Sequence, residues 1–166
     1  MLVVLDTNVL VSGLLNEAGK PGKILDLALE NRFQVAYDDR ILGEYEDVLA
    51  RPELRIRPAR ARAVIAHIEL TGQPIDAAPL SPGGFTDPGD LPFAEVFLTA
   101  HADALVTGNL RHFTPLVERE LAVFSPGGFL EKPHEGQLTS FPEAITGITP
   151  DNCAKPPEPG LILMAA

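Results

Sequence analysis

The sequence predicts a three-layer α/β domain with a mainly parallel sheet. Leu2–Leu5 is a continuous apolar, β-branched run without polar alternation, the pattern of a strand buried on both faces. Further short apolar runs follow, separated by stretches with helical apolar spacing, so strands and helices alternate as βαβ units require. The 166 residues, 45 % hydrophobic and 22 % charged, suit one domain with a sizeable core and exclude a disordered chain or a coiled coil.

After Leu2–Leu5, Thr7 and Asn8 are good helix caps, and Val9, Leu10 and Leu14 begin a helical period. Pro21 opens a second helix with Ile24, Leu25, Ala28 and Leu29 on one side. Gln34–Tyr37 reads as a short strand ending at Asp38 and Asp39. From Arg40 the period is helical again, with Ile41, Tyr45, Val48 and Leu49 as its stripe, until Arg51-Pro52 closes it. A helix is expected over 58–70, with Ile75 in a short strand beyond it. Residues 81–90, rich in Gly and Pro, form a loop. A helix then carries Pro92, Phe93, Val96, Phe97 and Ala100, and strands follow at 104–107 and 122–124.

Beyond Glu131 the chain holds six prolines between Pro133 and Pro159 and little periodicity, so the expected organisation is a domain over 1–131 and an extension over 132–166. The pentapeptide Ser-Pro-Gly-Gly-Phe at 81–85 recurs at 125–129, which reads as reused turn chemistry and not as a structural repeat.

Thirteen Lys and Arg against twenty-three Asp and Glu leave a net charge of −10. That balance argues against a protein held on nucleic acid mainly by phosphate neutralisation, though not against one that meets a phosphodiester through bound metal. The single cysteine, Cys153, forms no internal disulfide, and no apolar run approaches the roughly 20 residues of a membrane span. Residues 1–6 lack the pattern of a signal peptide, so a cytoplasmic protein is expected.

Ligands of an open parallel sheet bind beyond the carboxyl ends of its strands. Asp6 ends the first strand, either as a site residue or as a loop aspartate that caps the next helix. At 100° per residue, the stripe from Ile41 to Leu49 spans roughly 100°, and Glu44 falls at its rim while Glu46 and Asp47 point away. Its alternative is a stem that snorkels to water. Asp90 stands where a helix cap would, and Asp87 is a further carboxylate or turn chemistry. Asn109 follows the strand at 104–107. Like charges about 4 Å apart repel by roughly 4 kcal/mol at an effective dielectric of 20, a cost that a hard cation such as Mg²⁺ or Mn²⁺ relieves. His67, His101, His112 and His134 are scattered and read as structural or solvated. There is no P-loop, no G-x-G-x-x-G and no G-x-S-x-G.

Leu5-Asp6-Thr7-Asn8-Val9, Glu44 on the third helix, Asp87-Pro88-Gly89-Asp90-Leu91-Pro92-Phe93 and Leu105-Val106-Thr107-Gly108-Asn109 resemble, in that order, the PIN domain family. The resemblance spans about residues 1–130 and is strongest to the prokaryotic branch of toxins from toxin–antitoxin pairs. It implies a five-stranded parallel sheet in the order 3-2-1-4-5 and a metal-dependent ribonuclease using Mg²⁺ or Mn²⁺. It also implies Asp6, Glu44 and Asp90 as metal ligands, with Thr7, Asn8 and Thr107 orienting them. Asn109 falls where many members have a fourth acid; an amide carries no charge, which weighs against a second tightly bound metal. Carboxylate-held Mg²⁺ activates water and offsets charge on a phosphorane-like transition state, so no protein nucleophile is required.

Arg51, Arg55, Arg57, Arg60 and Arg62 lie within a dozen residues. They read equally as a patch that guides RNA along its backbone and as a solvated face, and the resemblance adds an antitoxin contact. RNA, an antitoxin protein and a second copy of the chain are the candidate partners. Two rivals stay open: a PIN-like module that binds RNA or protein without cutting, and another α/β enzyme with a strand-end aspartate. A phosphoaspartyl phosphatase wants Asp-x-Asp where this chain has Asp6-Thr7-Asn8, and a receiver-type phosphoacceptor wants acidic residues that are not there.

Overall fold

The computed structural model describes residues 1–81, 85 and 87–132. Five strands, β1 (Leu2–Leu5), β2 (Gln34–Tyr37), β3 (Gln73–Pro74), β4 (Ala104–Val106) and β5 (Val123–Phe124), form one parallel sheet in the order β3-β2-β1-β4-β5. This is the expected order. Central β1 pairs Val3 with Val35 and Leu5 with Val106, and Val3, Val4 and Leu5 are wholly buried, as their unbroken apolar run requires. The edges are two-residue strands, and Pro74 is tolerated because β3 has a free side.

Helices α1 (Thr7–Leu15), α2 (Lys20–Leu29), α3 (Asp39–Leu49), α4 (Pro58–Thr71), α5 (Leu91–Thr99), α6 (Thr114–Val117) and α7 (Pro126–Glu131) complete an α/β/α arrangement. Ile41, Tyr45 and Leu49 bury the predicted stripe of α3, while α5 packs on β1, β2 and β4. Among the described residues no helix is long and apolar enough to cross a membrane.

Several expectations need correction. Asp6, not Thr7 or Asn8, caps α1, because its extended backbone lets Oδ1 accept from the Asn8 N–H at 3.2 Å. The third strand is Gln73–Pro74; Ile75 lies just past it, its N–H bonded to the Tyr37 carbonyl at 2.8 Å. Gly72 makes that crossing, since a Cβ there would lie 2.5 Å from the Val35 carbonyl oxygen. The Gly/Pro loop ends in a 3₁₀ turn, Pro88–Asp90, and another 3₁₀ turn, Leu110–Phe113, leads into the unforeseen α6. The second Ser-Pro-Gly-Gly-Phe starts α7: Ser125 Oγ caps Gly128 N–H at 3.1 Å, Pro126 opens the first turn, and buried Phe129 meets Phe33 edge-on at 5.8 Å. Residues 82–84 of the first copy, and the extension from residue 133 on, lie outside the described residues.

Candidate functional site

The sheet order reverses at β1, whose neighbours are β2 and β4. At such a switch point the loops leaving adjacent strands diverge and open a crevice. Asp6 leaves β1 and Thr107 leaves β4 side by side, the Asp6 N–H still bonded to the Val106 carbonyl at 2.9 Å. The crevice is a cleft of about 570 Å³. Asp6, Glu44, Asp87 and Asp90 line it, with Arg51 and His112 as the basic groups and Val11, Val48 and Leu54 as an apolar wall.

A hydrogen-bond frame fixes the acids. Asp6 Oδ2 accepts from Thr107 Oγ1 and from Asn8 Nδ2, both at 2.6 Å. Thr107 Oγ1 in turn accepts from the Asn109 N–H at 2.9 Å, and Asn8 Oδ1 accepts from the Gly108 N–H at 2.7 Å. A Cβ at position 108 would lie 2.9 Å from Asn8 Oδ1, so glycine is what lets the two loops meet. Thr7 Oγ1 donates to Glu44 Oε1 at 2.5 Å. Buried Tyr45, beside Glu44, donates to the Leu5 carbonyl at 2.5 Å, tying α3 to the end of β1. Asp90 is held least: its buried Oδ2 accepts no hydrogen bond, and His112 Nδ1 stands 3.2 Å from it and 3.4 Å from Oδ1.

Burial, the largest cause, pushes the Asp6, Glu44 and Asp90 carboxyls above their ordinary values. Thr107 and Asn8 oppose it at Asp6, Thr7 at Glu44 and His112 at Asp90. At Glu44 the charges of Asp6, Asp90 and Asp87 push the same way as burial, and at Asp90 those of Asp6 and Asp87 do. The cleft therefore holds a surplus of negative charge that the chain does not neutralise.

The model of the PIN domain family matches residues 2–111, two thirds of the chain, including every acid that lines the cleft. The chain belongs to the PIN domain family. Its structure is also similar to a chain in the crystal structure of VapBC2 from Rickettsia felis bound to a DNA fragment from their promoter. The TM-score is 0.52 at 16 % identity, covering 75 % of this chain and 98 % of that one, a likeness of fold. No curated protein matches the chain.

In this PIN domain the cleft gathers Asp6, Glu44 and Asp90; Thr7 bonds to Glu44, and Asn8 and Thr107 bond to Asp6. Asp87 plays two parts: its Oδ1 caps the 3₁₀ turn by accepting from Gly89 N–H at 2.9 Å, and it borders the cleft. Asn109 contributes a backbone N–H, and its side chain is not among those lining the cleft. The arginine stretch is divided. Arg51 lines the cleft, Arg60 is paired with Glu17, and Arg62 borders a separate groove between α3 and α4. Arg55 and Arg57 are exposed, Arg55 with a left-handed backbone.

Sequence reasoning missed His112 and the apolar wall. The only signal for His112 was its place three residues after Asn109, within reach of the end of β4.

The donor set fits a hard divalent cation: the donors are carboxylate oxygens, and Asp90 Oδ2 is buried without a hydrogen-bond partner. Among the described residues, no three His, Cys, Asp or Glu side chains stand close enough to enclose one ion. Mg²⁺ does not need such a cage, because it keeps several waters and usually takes one or two carboxylates.

Proposed function

We propose that this PIN domain is a metal-dependent ribonuclease acting in the cytoplasm as the toxin of a toxin–antitoxin pair. The observation that carries the nuclease reading is the cleft at the switch point, which Asp6, Glu44 and Asp90 line together, each with its pKa raised by burial. A protein does not leave such a cluster uncompensated for stability's sake. The toxin and antitoxin reading rests on the resemblance of its motifs to that branch and on the similar fold of a VapBC2 chain.

Asp6, Glu44 and Asp90 would hold the ion. An ion held there would supply positive charge against the charge gathering on the phosphodiester and would make water a better nucleophile. Thr107 and Asn8 keep Asp6 aimed into the cleft, and Thr7 does the same for Glu44. Arg51 is the cation placed to meet a phosphate at the rim, while Val11, Val48 and Leu54 offer a dry wall for a base or ribose.

One observation favours a second reading, a PIN domain that binds RNA or a partner protein without cutting: the acids are too far apart to enclose an ion. Cleavage of a mixed single-stranded RNA pool with Mn²⁺, Mg²⁺ or EDTA decides between them, with Asp6→Asn as the control. Metal-dependent cuts that vanish in Asp6→Asn are the expected result. An absence of both cleavage and metal binding would overturn the nuclease reading and leave the binding module.

A further inference from the structure

We infer that the apolar run at residues 161–166 docks in the groove between α3 and α4 of its own chain. The inference stands apart from the cleft and does not depend on the metal-dependent reading.

The groove has a volume of about 500 Å³, within the roughly 300–1,000 Å³ of binding clefts. Buried Leu49, Ala61 and Ile65 line it, and Ala50, Pro58 and Ala66 are exposed along it. These small side chains fill little space, so α3 and α4 meet without closing the seam between them. Leu70 follows Ala66 by one helical turn on the same face of α4. At 84 % it is the most exposed large apolar side chain among the described residues. The apolar surface therefore runs on past the groove, as a surface that is covered by something would.

The chain itself supplies a matching segment. Beyond Lys132, the stretch Leu161-Ile162-Leu163-Met164-Ala165-Ala166 holds six consecutive apolar residues, a run with no equal in that part of the sequence. Lys132 follows α7, α7 packs on α2, and α2 packs on α4, so the way to the groove is short. An unconstrained chain of 29 residues, as from 133 to 161, spans roughly 30 Å, comparable with a domain whose radius of gyration is about 14 Å. Tethering at that length gives an effective concentration of about 1 mM. A segment with a Kd of only about 1 mM as a separate peptide would then be docked half of the time, and a second copy would have to exceed that concentration to compete. Pro156, Pro157 and Pro159 restrict the chain just ahead of the run and lower the entropy that docking removes. Charge agrees as well: Glu46, Arg62 and Glu69 edge the groove, and Lys155 and Glu158 bring the opposite signs.

The direct test is nuclear magnetic resonance of the full-length protein. The expected spectrum shows Overhauser contacts between the Ile65 methyls and those of Leu161, Ile162 or Leu163, unchanged on about tenfold dilution. Leu163→Asp, at a position outside residues 1–131, abolishes these contacts and moves the amide resonances of Ala50, Ala66 and Leu70. Ala66→Glu, on the exposed side of α4, abolishes the same contacts from the groove. A run without contacts to Ile65, and groove resonances that Leu163→Asp leaves unmoved, would overturn the inference. Contacts found only between differently labelled chains in a mixed sample would overturn it as well and assign the segment to a second copy.

Discussion

Asp90 and Glu95 lie five residues apart, both are carboxylates, and both are buried, at 9 % and 4 % exposure. Their surroundings are opposite. Glu95 receives the Arg40 guanidinium at 2.6 Å on Oε2 and the Leu80 N–H at 2.7 Å on Oε1. Arg40 is itself held by Asp38, so the first turn of α3, the loop before the cleft and α5 are bound together. Asp90 has one histidine, His112, whose Nδ1 lies 3.2 Å from Oδ2 and 3.4 Å from Oδ1, and three further acids around the same cleft. A buried carboxylate that serves the fold is paired, because an unpaired buried charge costs several kcal/mol. Asp90, paired only with a histidine and ringed by other acids, is the carboxylate that the proposed function assigns to ligand binding.

The sharpest way to break this contrast is to neutralise each side. Asp90→Asn removes a ligand charge and little volume; cleavage falls roughly 10²- to 10³-fold, the loss of several kcal/mol of transition-state stabilisation. The same change stabilises the metal-free fold by about 1 kcal/mol, as relief of functional strain commonly does. The sign follows from the raised pKa. The folded state holds the Asp90 proton more tightly than the unfolded chain, so the cost of its charge is fully present above the folded pKa and fades as pH falls toward the ordinary 3.8. Denaturant unfolding in EDTA therefore gives the widest gap between variant and wild type at about pH 7, and a narrower one as the pH falls toward the ordinary carboxylate range. A gap that widens on acidification would contradict the raised pKa.

Arg40→Ala acts on the other side. It strands Glu95 without its cation and costs about 2 to 3 kcal/mol, below the range for a fully buried pair because Arg40 is half exposed and water reaches it. A melting temperature lower by about 10 °C, with cleavage per folded molecule retained, is the expected pair of results. Equal stability would show that water already satisfies Glu95.

This contrast was only half legible in the sequence. The strands β1, β2 and β4 announce themselves as apolar runs, and Asp6 ends the first of them. Glu44 was readable from its angle beside the stripe of α3, and the structure places it, Asp6 and Asp90 on one cleft. The pair of Arg40 and Glu95 was not readable, since 55 positions separate them and neither breaks a local pattern. His112 was hidden because a 3₁₀ turn has no periodicity to show which side chain faces inward. The arginine stretch misled for a different reason: nearness in sequence says nothing of pairing, and Glu17 claims Arg60. The helix α7 had its signal in Ser125-Pro126, a cap followed by proline, which the two glycines after it disguised as a turn.

Smaller effects come from the groups around the acids. Thr107→Val keeps the volume but leaves Asp6 Oδ2 with one donor fewer and the Asn109 N–H without its acceptor. Metal affinity falls about 10- to 100-fold, as it does when the partner that orients a ligand is lost, and stability falls by about 1 to 2 kcal/mol. Calorimetry and thermal unfolding read the two separately.

The smallest effect is expected at Asn109, the position where the resemblance of the motifs leads one to look for a fourth acid. If the surplus charge of the cleft were simply a matter of counting acids, Asn109→Asp would tighten metal binding strongly. The structure gives Asn109 a different part, since its N–H supports Thr107 and its side chain is not among those lining the cleft. A new carboxylate outside the ring of ligands acts only through screened Coulomb attraction, worth about 1 kcal/mol at 4 Å in water and less with distance. Mn²⁺ affinity should therefore rise by less than about fivefold, and the gain should shrink with added salt. A larger, salt-independent gain would mean that the segment after β4 can swing its first residue into the cleft. It would then compete with His112 for the place beside Asp90.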